Sequence, residues 1–238
     1  MRVNLVSQAW RWVARRCSTR AMQGKKSADM RRGLVAVAAL SALAGCATVQ
    51  PDPTMPRVAL DTTAGTMVLA LDAAAAPITT CNFISYVVTG DYEGGTFFRT
   101  VSRETNTASR YPIDVIQAAT PRGSDDASRP PITLERTRDT GLRHTAGAVS
   151  MARDGPDSAT SSFFIVTQDT PSLDFGGGRN PDGQGFAAFG AVVQGLDVAR
   201  RIQRMPANSD EQLTTPVTIR SARLLDAAPA VCTRSMRP

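Results

Sequence analysis

From Arg57 onward, apolar and polar residues alternate in short bursts separated by turn-forming residues. Arg57–Thr62 and Thr66–Leu71 read as extended runs, and Thr63-Ala64-Gly65 between them is a hairpin signal. Pro77 is suited to open a helix that turns Phe83, Ile84 and Val87 towards a core, and Gly90 to stop it. Thr96–Thr100, Val115–Ala118, Ala148–Met151, Phe163–Thr167 and Phe189–Val193 are short strand candidates divided by Gly, Pro and Asp. Leu196–Arg204 reads as a second helix with Leu196, Val198, Ala199 and Ile202 on its inner side, and Val217–Leu225 as a closing strand. Many short strands with a helix near each end predict a closed antiparallel barrel capped by helices. A sandwich would show the same alternation, so the pattern alone leaves both open.

The first 56 residues differ in kind. Residues 1–45 carry nine Lys/Arg and one acid, Asp29. The remaining 193 residues hold 18 basic and 20 acidic side chains, so the formal charge of +6 belongs to the leader. Without it the domain lacks the basic balance that drives nucleic-acid binding. Met30-Arg31-Arg32 precedes an apolar run from Gly33 to Leu40, too short to span a bilayer comfortably, and then small residues. That order describes a secretory signal, with Met1, Met22 or Met30 as possible initiators. Leu43-Ala44-Gly45-Cys46 resembles the bacterial lipobox, which implies lipidation at Cys46 and removal of residues 1–45. Residues 46–56, with Pro51, Pro53 and Pro56, then read as a polar tether. Ala47 directly after Cys46 implies the periplasmic face of an outer membrane, a lipid-anchored location in a bacterial cell envelope.

Cys17 falls in the leader, which leaves Cys81 and Cys232. In an oxidising compartment such a pair often bridges. The alternative is two unrelated thiols, one in a helix and one in a loose tail over 226–238. A single histidine and no suitable cysteine spacing speak against a metal site.

Two stretches carry the chemistry. One runs Thr96-Phe97-Phe98-Arg99 and, after an irregular connection, reaches Gln117. The other runs Gly147-Ala148-Val149-Ser150-Met151-Ala152-Arg153, then Ser161-Ser162-Phe163-Phe164-Ile165. Together they resemble the catalytic face of the cyclophilins, the peptidyl-prolyl cis–trans isomerases, and the resemblance covers about Arg57 to Leu225. It implies a mainly β fold: a closed eight-stranded antiparallel barrel with two capping α-helices and a site on the outer face. It also implies proline-containing polypeptides as partners, with neither cofactor nor metal.

Rotation about an X–Pro bond faces a barrier of about 18–20 kcal/mol because the amide C–N bond is partly double. No bond is made or broken, so the reaction needs only groups that favour the twisted amide over the planar ones. By resemblance Arg99 is the catalytic arginine, and Gln117 the glutamine that orients it and contacts the substrate backbone. Phe164 is the floor of the proline pocket, with Leu173, Val115, Phe98 and Phe186 around it, and Met151-Ala152 form the neighbouring groove.

Several positions depart from the family. Asp114 stands where an aromatic wall residue is usual, Ser172 where a tryptophan is frequent, and Phe186 where a histidine is usual. The connection holding Arg103 to Pro112 and the loop from Phe175 to Gly185 are both long. Gly176 to Gly183 lacks the lysine of a phosphate loop and the alternating acids of a calcium loop, and reads as a plain connection. A barrel that binds proline segments as a chaperone or scaffold with little turnover is the main rival; an Arg99 tied up by Asp114 would favour it. A hydrolase built on His144, Ser150 and an aspartate lacks a positioned base in this reading.

Overall fold

A computed structural model of the chain describes residues 52, 54–124, 126 and 128–235. The leader over 1–45 and Cys46 lie outside the described residues. Eight strands follow in order: β1 (Arg57–Thr62), β2 (Gly65–Leu71), β3 (Thr96–Val101), β4 (Val115–Ala119), β5 (Ala148–Met151), β6 (Phe163–Val166), β7 (Ala188–Gln194) and β8 (Gln212–Leu224). Among the described residues four α-helices accompany them: α1 (Pro77–Val88), α2 (Thr137–Thr140), α3 (Leu196–Gln203) and α4 (Ala230–Ser235). The strands close into a barrel in the order β1-β2-β7-β5-β6-β4-β3-β8, with every pair antiparallel. The alternative of a sandwich is thereby excluded. Closure also leaves no free sheet edge.

Alternation decides what lies inside. On β6, Phe163 joins the main core and Phe164 the outer cluster. On β4, Ile116 and Ala118 face the core while Val115 faces out. Successive side chains of a strand point to opposite faces, so one strand furnishes both regions. Inside, Phe83 of α1 meets Phe163 edge-on at 5.2 Å and Phe189 at 5.2 Å, and Tyr92 and Phe97 complete the aromatic centre. Val198, Ala199 and Ile202 of α3 are buried in the same cluster.

Strand β8 begins at Gln212 rather than near Val217. Its first part is exposed at Thr214, Thr215 and Pro216, and the pairing with β3 shifts register there, from Phe97↔Val217 to Arg99↔Gln212. A proline that cannot donate to the ladder is tolerated at such an irregularity. That stretch shows no apolar alternation from which to read a strand. Helix α2 has four residues, too few to display a helical period.

Both ends of the domain are fastened. Of the tether, Thr54 and Pro56 already pair with the barrel: their carbonyls accept from the N–H groups of Ala73 and Leu71. Residues 226–235 are not a loose tail. They include α4, and Cys232 is bonded to Cys81 of α1, with both cysteines in the core. The two open readings of this cysteine pair resolve to the bridge.

Candidate active site

On the outer face a cleft of about 470 Å³ runs across β4, β6 and the segment after β5. Its floor is the second apolar cluster, in which Val115, Phe164 and Leu173 are buried and Phe186 and Ala152 half-buried. Phe186 meets Phe164 edge-on, with ring centroids 5.4 Å apart. Beneath the floor, the His144 ring stacks on Phe164 at 6.0 Å. The result is an apolar seat walled by rings at right angles, the size of a small ring or aliphatic group.

The polar side of the cleft is made by β3 and β4. Arg99 and Gln117 are register partners on these antiparallel strands. Arg99 Nη1 donates to Gln117 Oε1 at 3.1 Å, and Gln117 Nε2 donates to Ser162 Oγ at 3.1 Å. Ser162 in turn donates to the Ala118 carbonyl at 3.0 Å, which fixes its hydroxyl as an acceptor for Gln117. A local irregularity aims Arg99. In a regular strand Phe97 and Arg99 would share a face, yet Phe97 is in the core and Arg99 lines the cleft. The pairing of β3 shifts register between them, and a one-residue bulge changes the phase of the alternation.

The same bulge removes Phe98 from the site. Phe98 lies in a separate depression with Pro121 and Thr120, not in the cleft. Met151 is the other residue that stands elsewhere. It is 1% exposed and belongs to the barrel core, because Val149 and Met151 share the inner face of β5; Ala152, the next residue, reaches the cleft. Arg99, Gln117, Val115, Ala152, Phe164, Leu173 and Phe186 do come together.

Asp114 corrects a further expectation. It is 1% exposed and turned away from the cleft, where it accepts from the Arg103 backbone N–H at 3.1 Å and pairs with the Arg103 side chain. Ile113, one residue earlier, lines the cleft in its place. Ile113, Val115 and Gln117 are spaced by two, so the alternation along β4 carried this signal. Arg99 is held not by Asp114 but by Glu211, whose Oε2 accepts from Arg99 Nε at 3.1 Å and also from Nη2. Glu211 has a positive φ of 64°, and its Oε1 accepts from Asn106 Nδ2 at 2.7 Å. Glu211 is 112 residues from Arg99 in a loop, and nothing local in the sequence links them.

The relay imagined around His144 exists in space. His144 Nδ1 lies 2.8 Å from Asp174 Oδ1, and Nε2 lies 3.0 Å from Ser150 Oγ, so a base is positioned. It is sealed, however: Ser150 is fully buried, His144 is 1% exposed, and neither lines the cleft. Burial pushes the Asp174 carboxyl up, but hydrogen bonds from His144 and the Arg143 guanidinium outweigh it and hold the group below the usual carboxylate range. With no path to solvent, the three side chains brace the floor under Phe164 rather than attack a substrate.

The loop from Phe175 to Gly185 is more than a plain connection. The Arg179 N–H donates to the Ser172 carbonyl at 3.1 Å, and Arg179 Nη1 donates to Ser109 Oγ at 3.0 Å. Arg153, also in the cleft wall, pairs with Asp182 at 2.7 Å and lies over the Phe186 ring at 5.1 Å. Among the described residues no group of three or more His, Cys, Asp or Glu is placed to hold a metal.

Comparison with known proteins agrees with this architecture. The family described as cyclophilin type peptidyl-prolyl cis-trans isomerase matches residues 57–224. Peptidyl-prolyl cis-trans isomerase A of Dickeya dadantii is 34% identical over 200 residues, covering 82% of this chain and 98% of that protein. Peptidyl-prolyl cis-trans isomerase cyp18 of Streptomyces antibioticus is 36% identical over 176 residues, covering 72% and 99%. A crystal structure of a cyclophilin type isomerase from Cryptosporidium parvum shares the fold, with a TM-score of 0.59 at 18% identity over 73% of this chain and 99% of that one. Another structure of that protein was determined in the presence of the dipeptide Ala-Pro. With its closed eight-stranded barrel and a match spanning the whole of it, this chain belongs to the cyclophilin family and is a peptidyl-prolyl cis–trans isomerase.

Proposed function

We propose that Arg99 and Gln117 carry the isomerisation and that the enzyme serves folding polypeptides in the bacterial cell envelope. The observation that carries the site assignment is the Arg99–Gln117 contact of 3.1 Å at the edge of the apolar seat. The proline ring rests on Phe164 between Val115, Leu173 and Phe186, and the substrate backbone passes Ala152, whose small side chain permits close approach. Twisting the amide localises a lone pair on the prolyl nitrogen. The Arg99 guanidinium is planar, permanently charged and has five N–H donors. Three of them are engaged with Gln117 and Glu211. The remaining two are free to donate to the amide as it twists. Gln117 fixes the guanidinium plane, and its own amide is fixed by Ser162. Stabilising the twisted state by about 1.4 kcal/mol accelerates exchange tenfold.

The proposed location rests on the lipobox-like Leu43-Ala44-Gly45-Cys46 and is supported by the Cys81–Cys232 bridge, since such bonds persist in oxidising compartments. A diacylated Cys46 holds the enzyme on the periplasmic face of an outer membrane, where proline-containing chains emerge unfolded. Two acyl chains suffice for stable anchoring, at about 0.8 kcal/mol per buried CH₂.

The test is a proline-peptide isomerisation assay on residues 47–238. Arg99→Ala is expected to lower kcat/KM at least tenfold, and Arg99→Lys not to restore it, because a point charge replaces a planar fork. Undiminished activity in Arg99→Ala would reject the assignment of Arg99. For the anchor, Cys46→Ser should abolish incorporation of labelled fatty acid, and a wild-type protein recovered wholly in the soluble fraction would reject it.

A further inference from the structure

Two long segments meet at one end of the cleft. They are residues 102–112, between β3 and β4, and residues 175–185, before β7. Gly178 lies against the ring of Tyr111 so closely that a Cβ there would come within 2.1 Å of it. Only glycine permits this approach. The next residue, Arg179, is thereby brought over the rim. Its Nη1 is tied to Ser109 Oγ at 3.0 Å and to the Tyr111 carbonyl at 3.3 Å. Its side chain lines the same cleft as Arg99 and Phe164.

The charges in this cleft are unequally compensated. Arg99 is paired with Glu211, and Arg153 with Asp182. Arg179 forms no ion pair with any of the described residues, and its anchoring partners are a hydroxyl and a carbonyl. Glu211 acts on it favourably from a distance, but both oxygens of Glu211 are already committed to Arg99 and Asn106. The carboxylate that lines the cleft, Asp154, belongs to the exposed segment two residues beyond Ala152. Burial and the neighbouring Arg99 cation both disfavour the charge on Arg179. A guanidinium nevertheless keeps its proton in proteins. A carboxylate bound to Arg179 would offset both penalties.

We propose that Arg179 selects substrates in which an acidic residue, Asp or Glu, flanks the isomerised proline. The inference rests on the assignment of this cleft as the proline site and names the class of polypeptide it favours. Arg179 acts on specificity: a flanking carboxylate accepts from the donors that Ser109 and Tyr111 leave unused, while Arg99 remains available to the amide.

The experiment measures kcat/KM by exchange NMR on tetrapeptides carrying Glu, Gln or Lys immediately before or immediately after the proline. At one of the two positions the wild type is expected to favour Glu over Lys by about three- to tenfold at low salt, a ratio that shrinks as salt screens it. Arg179→Gln should abolish the preference, Arg179→Lys should retain most of it, and Arg179→Glu should invert it. A wild-type ratio near one at both positions, or a preference that survives in Arg179→Gln, would overturn the proposal. If no peptide is isomerised, the site assignment itself fails. Calorimetric titration of the same Glu and Lys peptides then still reads whether Arg179 confers an acidic preference in binding.

Discussion

The barrel interior and the cleft on its outer face are cut from the same strands, yet they are built to different rules. The interior draws residues from the barrel strands and from α1, α3 and α4, and its aromatic rings pack edge-on or tilted at centroid distances between 5.1 and 5.9 Å. The cleft uses the other face of β4 and β6, Arg99 of β3, a smaller apolar cluster, and loops for the rest. Interior positions are over-determined, because each is held by packing on every side. Cleft positions are held from below and by hydrogen bonds at the rim, so they tolerate exchange of loops without loss of the barrel. That is the expected division between a scaffold and a site grafted on it.

Phe163 and Phe164 offer the sharpest way to break this comparison, since they are adjacent in sequence and opposite in role. Phe163 is fully buried against three aromatic rings, Phe83, Tyr92 and Phe97. Phe163→Ala should cost about 3–5 kcal/mol of stability through lost burial and a residual cavity. Phe164→Ala opens its gap towards solvent in the cleft, so it should cost less stability and lose most of its effect in substrate binding, seen as a raised KM. Urea unfolding beside an isomerisation assay separates the two. If both variants lose stability equally and bind substrate equally, the distinction between interior and cleft is wrong.

The two regions were also unequally legible in the sequence. Short apolar runs between turn residues marked most of the strands, because a buried face imposes a period of two. The cyclophilin resemblance, not the period, assigned Val115, Gln117 and Phe164 to one site. It failed where the period breaks. The bulge at Phe98 carries Phe98 out of the site and turns Arg99 into it, and no residue type announces a bulge of that kind. Met151 was misplaced because a groove was assigned to two consecutive residues of an extended segment, whose side chains must diverge. Asp114 turned away because Arg103 and Gln203 satisfy it in a buried setting, where an unpaired carboxylate would be costly. Glu211 and Arg179 act through contacts closed by long loops, which no local pattern records.

The disulfide tests the interior from another side. Cys81 and Cys232 close a span of 151 residues and sit in the core, away from the cleft. Replacing both by Ala should cost about 2–4 kcal/mol, chiefly through a less constrained unfolded chain, with kcat/KM unchanged. A parallel fall in kcat/KM would mean that the fastening of α4 to α1 reaches the catalytic face, and that interior and cleft are less separable than the packing suggests.

Glu211 is the finest probe, because it perturbs the cleft with no apolar contact at stake. It holds Arg99 through two donors and is itself held by Asn106 from the long β3–β4 connection. Arg99 and Glu211 are partly open to water, at 31% and 22% of their side-chain surface, so the pair is screened. A partly exposed pair contributes roughly 0.2–1 kcal/mol, so Glu211→Gln should change kcat/KM by less than about fivefold and lower stability in urea by no more than about 1 kcal/mol. What identifies a positioning effect is coupling. In an Arg99→Ala background, Glu211→Gln should have little further consequence for a neutral peptide, because Glu211 acts on the amide through the guanidinium it orients. Asn106→Ala should reproduce a weaker form of the same change, since it frees Glu211 on its loop. An effect of Glu211→Gln that persists undiminished without Arg99 would show that Glu211 meets the substrate directly, and the cleft would then have to be redrawn with a carboxylate among its binding groups.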